Sequence, residues 1–274
     1  MSSIRQTPES AAELRLRRFA EALGVPLMGE ASAKLVPGAL LTDRFLLSAP
    51  IAALAPGAVA DIVEMAQTLG LDSEAAAILS LDLETADVLH FGYEGSRAEG
   101  AVLKLYCEFA AIVGDWNRAR REGRRLLVHR AVKWDPDSAE GAAVSLYEAD
   151  PTLSVTDTVD RIFDLLGDHP AADLVVSVFH RAAGRLPAQD RLFLEVTEQG
   201  TDRRSFDLKV YDAGFTVGSF GDAMGELATA FGFDRVDRDR LSQLPSAEVL
   251  GHLSGGRGRD GRPFLTLYYG GGPR

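Results

Sequence analysis

Four stretches of this 274-residue chain can be laid over one another, and that repetition restricts the fold more than any other feature. They read VLKLYCEF, AVSLYEAD, DLKVYDAG and FLTLYYGG, and each places a tyrosine at the same position: Tyr106, Tyr147, Tyr211 and Tyr268. Four of the six tyrosines in the chain occupy this one position, and a polar residue stands two places earlier, Lys104, Ser145, Lys209 and Thr266. Each stretch follows another strand-like run and a short linker rich in Gly, Asp, Arg or Ser, such as DPDSAEG or SGGRGRDGRP. The pattern predicts four hairpins: 87–94 with 101–109, 125–134 with 141–148, 191–198 with 205–212, and 247–254 with 263–270. The tyrosines are 41, 64 and 57 residues apart, which leaves room for one or two helices after each hairpin. Apolar residues at helical spacing predict those helices over 57–70, 110–121, 156–167, 171–184 and 220–232, with another in the first twenty-odd residues.

Strand parity then sorts the side chains, because successive residues point to opposite faces. In 101–109, Leu103, Leu105, Cys107 and Phe109 share one face, and Lys104, Tyr106 and Glu108 the other. The same split separates Phe206, Leu208 and Val210 from Asp207, Lys209 and Tyr211, and Leu265, Leu267 and Tyr269 from Phe264, Thr266 and Tyr268. In RLFLEVTE, Leu192, Leu194 and Val196 form the aliphatic set, which assigns Glu195 to the polar face. The 125–134 strand is ambiguous: either His129 and Lys133 or Arg130 joins the polar face. Amphipathic helices need an aliphatic surface to cover, so the expected class is α+β: repeated strand–strand–helix units closing an antiparallel β-barrel with a polar and aromatic lumen, ringed by helices. Closure removes exposed strand edges, and about ten strands leave room inside for a ligand. The other arrangement is an open sheet whose Lys/Tyr face is solvated. Cys107 lies on the aliphatic face and is expected to be packed core.

Composition narrows the function. A net charge of −11, from 29 Lys+Arg against 40 Asp+Glu, repels a phosphate backbone, so no nucleic-acid partner is expected. One cysteine excludes internal disulfides and Cys-rich zinc sites, and the five histidines show no metal-ligand spacing, so no metal ligands are expected. No apolar run is long enough to span a bilayer, and the N-terminus lacks the apolar stretch of a signal peptide, which predicts a cytoplasmic protein with no membrane partner. The length allows one large domain, taken as 1–274. Gly256-Arg257-Gly258-Arg259-Asp260-Gly261 satisfies GxGxxG, but a strand-like run follows where a dinucleotide fold needs a helix, so the segment reads as a hairpin turn.

The repeated strand–strand–helix units with Lys-x-Tyr on the lumen face resemble the aromatic prenyltransferases of the ABBA fold, with their indole and cyanobactin relatives. In that family a ten-stranded antiparallel barrel holds a prenyl diphosphate on lumen Lys and Arg residues, and a ring of tyrosines shields the allylic cation. The resemblance implies diphosphate binding by Lys104 and Lys209, a shield of Tyr106, Tyr147, Tyr211 and Tyr268, and Lys133 as a further cation. The family's Arg-x-Lys-x-Tyr pattern has Asp207 in place of its arginine. Five hairpins are needed, so the first falls in 27–49, where LMGEASAKLV and LLTDRFLLSA are poor strands and Arg44 is the first-hairpin arginine. The implied activity is transfer of a prenyl group from an allylic diphosphate to an aromatic, amino-acid or peptide acceptor. By parity Glu195 is the catalytic base, with Glu108 and Glu94 behind it. No cofactor is certain; with no DDxxD-type motif, Mg²⁺ enters only as an ion held mainly by the diphosphate. The alternatives are a non-prenylating barrel that binds a small molecule or peptide in the same lumen, and a solvated sheet protein that works through partners.

Overall fold

The computed structural model describes residues 11–96 and 100–271. Within them the chain forms strands β1 (Met28–Val36), β2 (Ala39–Leu41), β3 (Arg44–Pro50), β4 (Val88–Ser96), β5 (Gly100–Glu108), β6 (Leu126–Trp134), β7 (Ala143–Ala149), β8 (Phe193–Glu198), β9 (Arg204–Lys209), β10 (Leu250–Arg257) and β11 (Pro263–Tyr269). The helices are α1 (Ala11–Ala22), α2 (Ala58–Thr68), α3 (Ser73–Leu83), α4 (Trp116–Glu122), α5 (Val155–Leu166), α6 (Ala171–Ala183), α7 (Gly221–Ala230) and α8 (Arg235–Ser242). All strand pairings are antiparallel between neighbours, and β11 returns to pair with β1, Ala31 opposite Tyr269 and Leu35 opposite Leu265. The short β2 pairs with β1, so ten strands close the ring. The fifth hairpin is therefore the poor-looking 27–49 segment, β1 paired with β3, with the short β2 between them.

Directly paired residues share a face, so register shows which side chains enter the lumen. The outward faces carry the helices. Leu89, Phe91, Leu103, Leu105 and Cys107 pack under α1, α2 and α3 through Leu16, Ile62, Ala66, Leu79 and Leu83. Phe206, Leu208, Leu253, Leu265 and Leu267 pack under α5, α6 and α7 through Ile162, Phe179 and Leu227. Cys107 is core, and burial pushes its thiol up to about 12. A smaller cluster, with Trp116 of α4 against Leu126, Ala149 and Leu194, lies on the lumen side, since Ala149 shares the face of Tyr147 and sits opposite Leu194.

That last pairing overturns one expectation. Tyr147 faces Val196 and Glu148 faces Glu195, so Leu194, Val196 and Glu198 point inward and Glu195 points out. The strand carries two apolar sets, and Phe193 takes the outer place, stacked on Phe206 at 5.6 Å, while Leu194 goes inward to the Trp116 cluster. Glu195 lies between Arg125 (2.6 Å) and Arg161 of α5 (3.2 Å). It is a buried ion-pair partner of these arginines on the outer face, outside the lumen. For β6 the bulge between Leu127 and His129 settles the parity: His129 and Lys133 enter the lumen, and Arg130 leaves it for Asp82 of α3 at 2.6 Å.

Candidate active site

The lumen side chains of β5 descend in two-residue steps, Lys104, Tyr106, Glu108, each about 6.8 Å further along the strand. The neighbouring strands continue each step, so the interior is layered.

The first layer is cationic. Arg44, Lys104 and Lys133 are all buried here, with Glu94 among them. Arg44 donates to Ser32 Oγ at 3.1 Å and to Glu94 at 2.5 Å, and Lys104 donates to the same Glu94 oxygen. Burial works against the Glu94 carboxylate, yet Arg44 and Lys104 hold it well below its ordinary range. Burial also pushes the Lys104 ammonium down to about 7, against the pull of Glu94. Lys133 falls well below the usual lysine range for the same reason, with Lys104 adding like-charge repulsion.

The second layer is aromatic. Tyr106 and Tyr147 meet edge to face, centroids 5.8 Å apart, and Tyr268 stacks on His252 at 3.9 Å. Lys133 ties this layer to the first: its Nζ donates to the Tyr147 hydroxyl at 3.3 Å and lies 5.5 Å from that ring's centroid. Burial keeps the three phenols neutral.

Below the tyrosines opens a cavity of about 320 Å³, a size that suits a small ligand. Tyr106, Tyr147, Tyr211 and Tyr268 all line it, together with apolar Met28, Leu46 and Val88 and a set of polar groups. One set is His90, Glu108, His129 and Lys209; Lys209 donates to Glu108 at 2.9 Å. The other is Glu30, Asp207, Tyr211 and His252. His252 Nδ1 is 2.8 Å from Asp207, its Nε2 3.7 Å from Glu30, and Tyr211 donates to Glu30. Burial opposes a charge on His252, but Asp207 and Glu30 outweigh it and lift the imidazole to about 9.

The sequence-predicted residues divide accordingly. Arg44, Lys104 and Lys133 come together. Lys209 does not join them: it ends β9, and its ammonium reaches the cavity level beside Glu108. Asp207, which stands in place of the family pattern's arginine, holds His252. Tyr211 follows the strand end, in a short 3₁₀ turn over Tyr211–Ala213, and still reaches the cavity. Glu195 takes no part. Sequence reasoning missed Glu30 and His252, although Glu30, Ser32 and Lys34 alternate with Ala31, Ala33 and Leu35 in the same period-two pattern that exposed the other strands.

No protein-family model and no curated protein matches this sequence. Solved structures do. The 5-dimethylallyltryptophan synthase from Streptomyces coelicolor superposes with a TM-score of 0.59 at 16% identity, over 89% of this chain and 81% of that one. The apo form of the prenyltransferase PriB superposes at 0.57 and 14%, over 94% of each chain. NotF, solved with brevianamide F and DMSPP, superposes at 0.51 and 12%, over 98% of this chain and 97% of that one. This chain has the ABBA fold. In this ABBA barrel the fivefold hairpin repeat carries the polar layers; α1, α2, α3, α5, α6 and α7 cover the outer faces, while α4 sets Trp116 on the lumen side. At these identities the likeness is one of architecture, and the chemistry rests on the side chains described above.

Proposed function

We propose that this chain transfers a prenyl group from an allylic prenyl diphosphate to an aromatic, amino-acid or peptide acceptor held in the lumen. The observation that carries the reading is the order of layers: clustered cations, then tyrosine rings, then a cavity with carboxylates. Prenyl transfer needs that order. Arg44, Lys104 and Lys133 take the diphosphate, and charge-assisted hydrogen bonds stabilise it as the C–O bond breaks. The allylic carbon then lies among Tyr106, Tyr147 and Tyr268, whose faces attract the cation and exclude water. The acceptor occupies the cavity, its carbon or nitrogen forms the new bond, and it gives up one proton. Glu30 is the assigned base. It lines the cavity beside Met28, and His252, itself held by Asp207, helps keep it ionised against the cost of burial. Neutral phenols and a carboxylate suffice for these steps; any Mg²⁺ arrives with the diphosphate.

A second reading, a barrel that binds a small molecule without transferring a prenyl group, is favoured by Glu94, which already engages Arg44 and Lys104. Incubation with dimethylallyl, geranyl and farnesyl diphosphates and a pool of aromatic acids, amino acids and indole peptides separates the two. Mass spectrometry should find an acceptor heavier by one prenyl unit with the wild type and not with Glu30→Gln. Calorimetry with a non-hydrolysable diphosphate analogue should show Lys104→Ala or Lys133→Ala losing roughly 1.5–3 kcal/mol of binding per charged hydrogen bond removed. Wild-type affinity in both variants, with no prenylated product, returns the weight to the second reading.

A further inference from the structure

We propose that His90, Glu108 and His129 form a binding site for a divalent transition-metal ion of the Zn²⁺ class in the wall of the lumen cavity. One ligand atom from each of the three lies within 4.8 Å of the other two. His90 Nε2 stands 3.0 Å from Glu108 Oε2, and His129 Nδ1 stands 4.0 Å from the same oxygen. Ligands about 2.0–2.1 Å from a tetrahedral Zn²⁺ are separated by about 3.3 Å, which falls between those two values. Two imidazoles and one carboxylate are a donor set that such ions take while keeping a position open.

Three features separate this cluster from an ordinary hydrogen-bonded one. First, His129 is 93% buried by its 7% exposure, and its Nδ1 has no hydrogen-bond partner although it points at Glu108. A buried nitrogen without a partner is a cost that a metal bond removes. Second, the far sides of the other two ligands are already held. Ser48 Oγ is 2.7 Å from His90 Nδ1, and Lys209 takes Glu108 Oε1, so Nε2 and Oε2 meet each other at 3.0 Å beside His129 Nδ1, and an ion would replace the proton they share. That is the arrangement by which outer groups orient metal ligands. Third, the carboxylates lining the cavity, Glu30, Glu108 and Asp207, outnumber Lys209 and the His252 imidazolium by one charge, so the cavity as a whole carries a net negative charge, and Glu108 brings it to the site. His252 serves as contrast to His129: both of its nitrogens face carboxylates, whereas His129 Nδ1 has no partner.

The three ligands come from three adjacent strands, β4, β5 and β6, and are separated by 18 and 21 residues, which is why no metal spacing shows in the sequence. All three line the cavity, so the open position faces it and takes water or an oxygen of a molecule bound there.

The test uses tag-free, chelator-treated protein titrated with Zn²⁺ by calorimetry and with Co²⁺ by visible absorption, neither of which depends on prenyl transfer. One ion per chain is expected, with the d–d bands of a four- or five-coordinate Co²⁺ site. His129→Ala and Glu108→Gln should each weaken binding more than tenfold, while His180→Ala, on the exposed face of α6, should bind as the wild type does. Ser48→Ala, which removes only the hydroxyl on His90, should weaken binding roughly 10–100-fold and covers the case of a ligand variant that fails to fold. A wild-type protein that takes up no stoichiometric ion overturns the site. So does wild-type affinity in His129→Ala, Glu108→Gln and Ser48→Ala alike.

Discussion

Lys104 stands near the midpoint of its own titration at neutral pH, because burial holds its ammonium at about 7 against an ordinary 10.5. Between those two values the unfolded chain carries a proton that the folded chain has released, so this residue lets stability rise with pH across that window; below 7 both states are charged and burial is at its most costly. A bound diphosphate reverses the local field and restores the charge. Binding of a diphosphate analogue at pH 8 should therefore take up about one proton at Lys104 and up to one more at Lys133, which is depressed in the same layer, measured by calorimetry in buffers of different ionisation heat. Proton uptake indistinguishable from zero removes Lys104 from the anion site. His252 runs the other way. Its imidazole is raised to about 9 from 6.5, so the stabilisation is complete below 6.5 and is lost as pH climbs through 9. Asp207→Asn removes the largest attractive charge, and an NMR titration should find the His252 midpoint lower in that variant, with the alkaline loss of stability moved down alongside it.

Among the elements, β10 and α7 respond oppositely to the same substitution. Gly256 of β10 has φ +144°, and a Cβ there would come 2.8 Å from Ser205 Cα on the adjoining strand. Gly256→Ala should destabilise by more than about 1 kcal/mol, because neither backbone can yield without breaking the β9–β10 pairing. Gly225 sits exposed in the middle of α7 with nothing near its missing Cβ, and Gly225→Ala should stabilise by about 0.5–1 kcal/mol. Thermal melts check both; equal shifts of one sign would refute the argument. Gly256 also opens the GxGxxG segment, which the structure forms as the β10–β11 turn, as read from the strand that follows it. The elements legible in the sequence were those whose period contrasts with their neighbours. Helix α3, SEAAAILSLDL, packs one face on the barrel but carries apolar residues, Ala77 and Leu81, on its exposed side too, and α8, RVDRDRLS, is almost wholly polar, so neither shows a helical stripe. Predicted helix 110–121 begins as a 3₁₀ stretch and becomes α4 from Trp116. In β8 two apolar sets compete for the outer face, and only the pairing with β7 decides between them, so Glu195 was assigned to the wrong side. Glu30 was hidden because β1 is short of large apolar residues.

At the scale of the molecule, the repeat revealed the barrel because every hairpin obeys the same inward–outward rule. What it left unseen is how the layers line up around the ring. Strands in a barrel are tilted and staggered, so equal repeat positions do not guarantee equal environments. Lys104 and Lys209 share a repeat position, yet one sits in the cation layer and the other beside Glu108. Closure itself is testable. A chain ending before Pro263 lacks β11, which leaves the partner edges of β1 and β10 unpaired. It should lose the single cooperative melt, bind a hydrophobic dye and associate; a sharp monomeric melt in the truncated chain would mean that the ring is not a stability unit.

The pairing of β1 with β11 also has a bearing on how the protein is made. Ala31 and Tyr269 are joined across a sheet, yet they belong to the first and last strands of this barrel to be synthesised. Until β11 has cleared the ribosome, the emerging chain is a growing open sheet, with β1 presenting unpaired backbone on one side and the newest strand on the other. Such edges invite pairing with other nascent chains. The helices α1, α2 and α3 emerge early and cover the aliphatic face of the first hairpins, but they do nothing for its edges. Yield in cells is therefore expected to depend on how quickly the last hairpin follows, making synonymous slowing of the codons ahead of β10 a burden on folding that no change of amino acid would reveal.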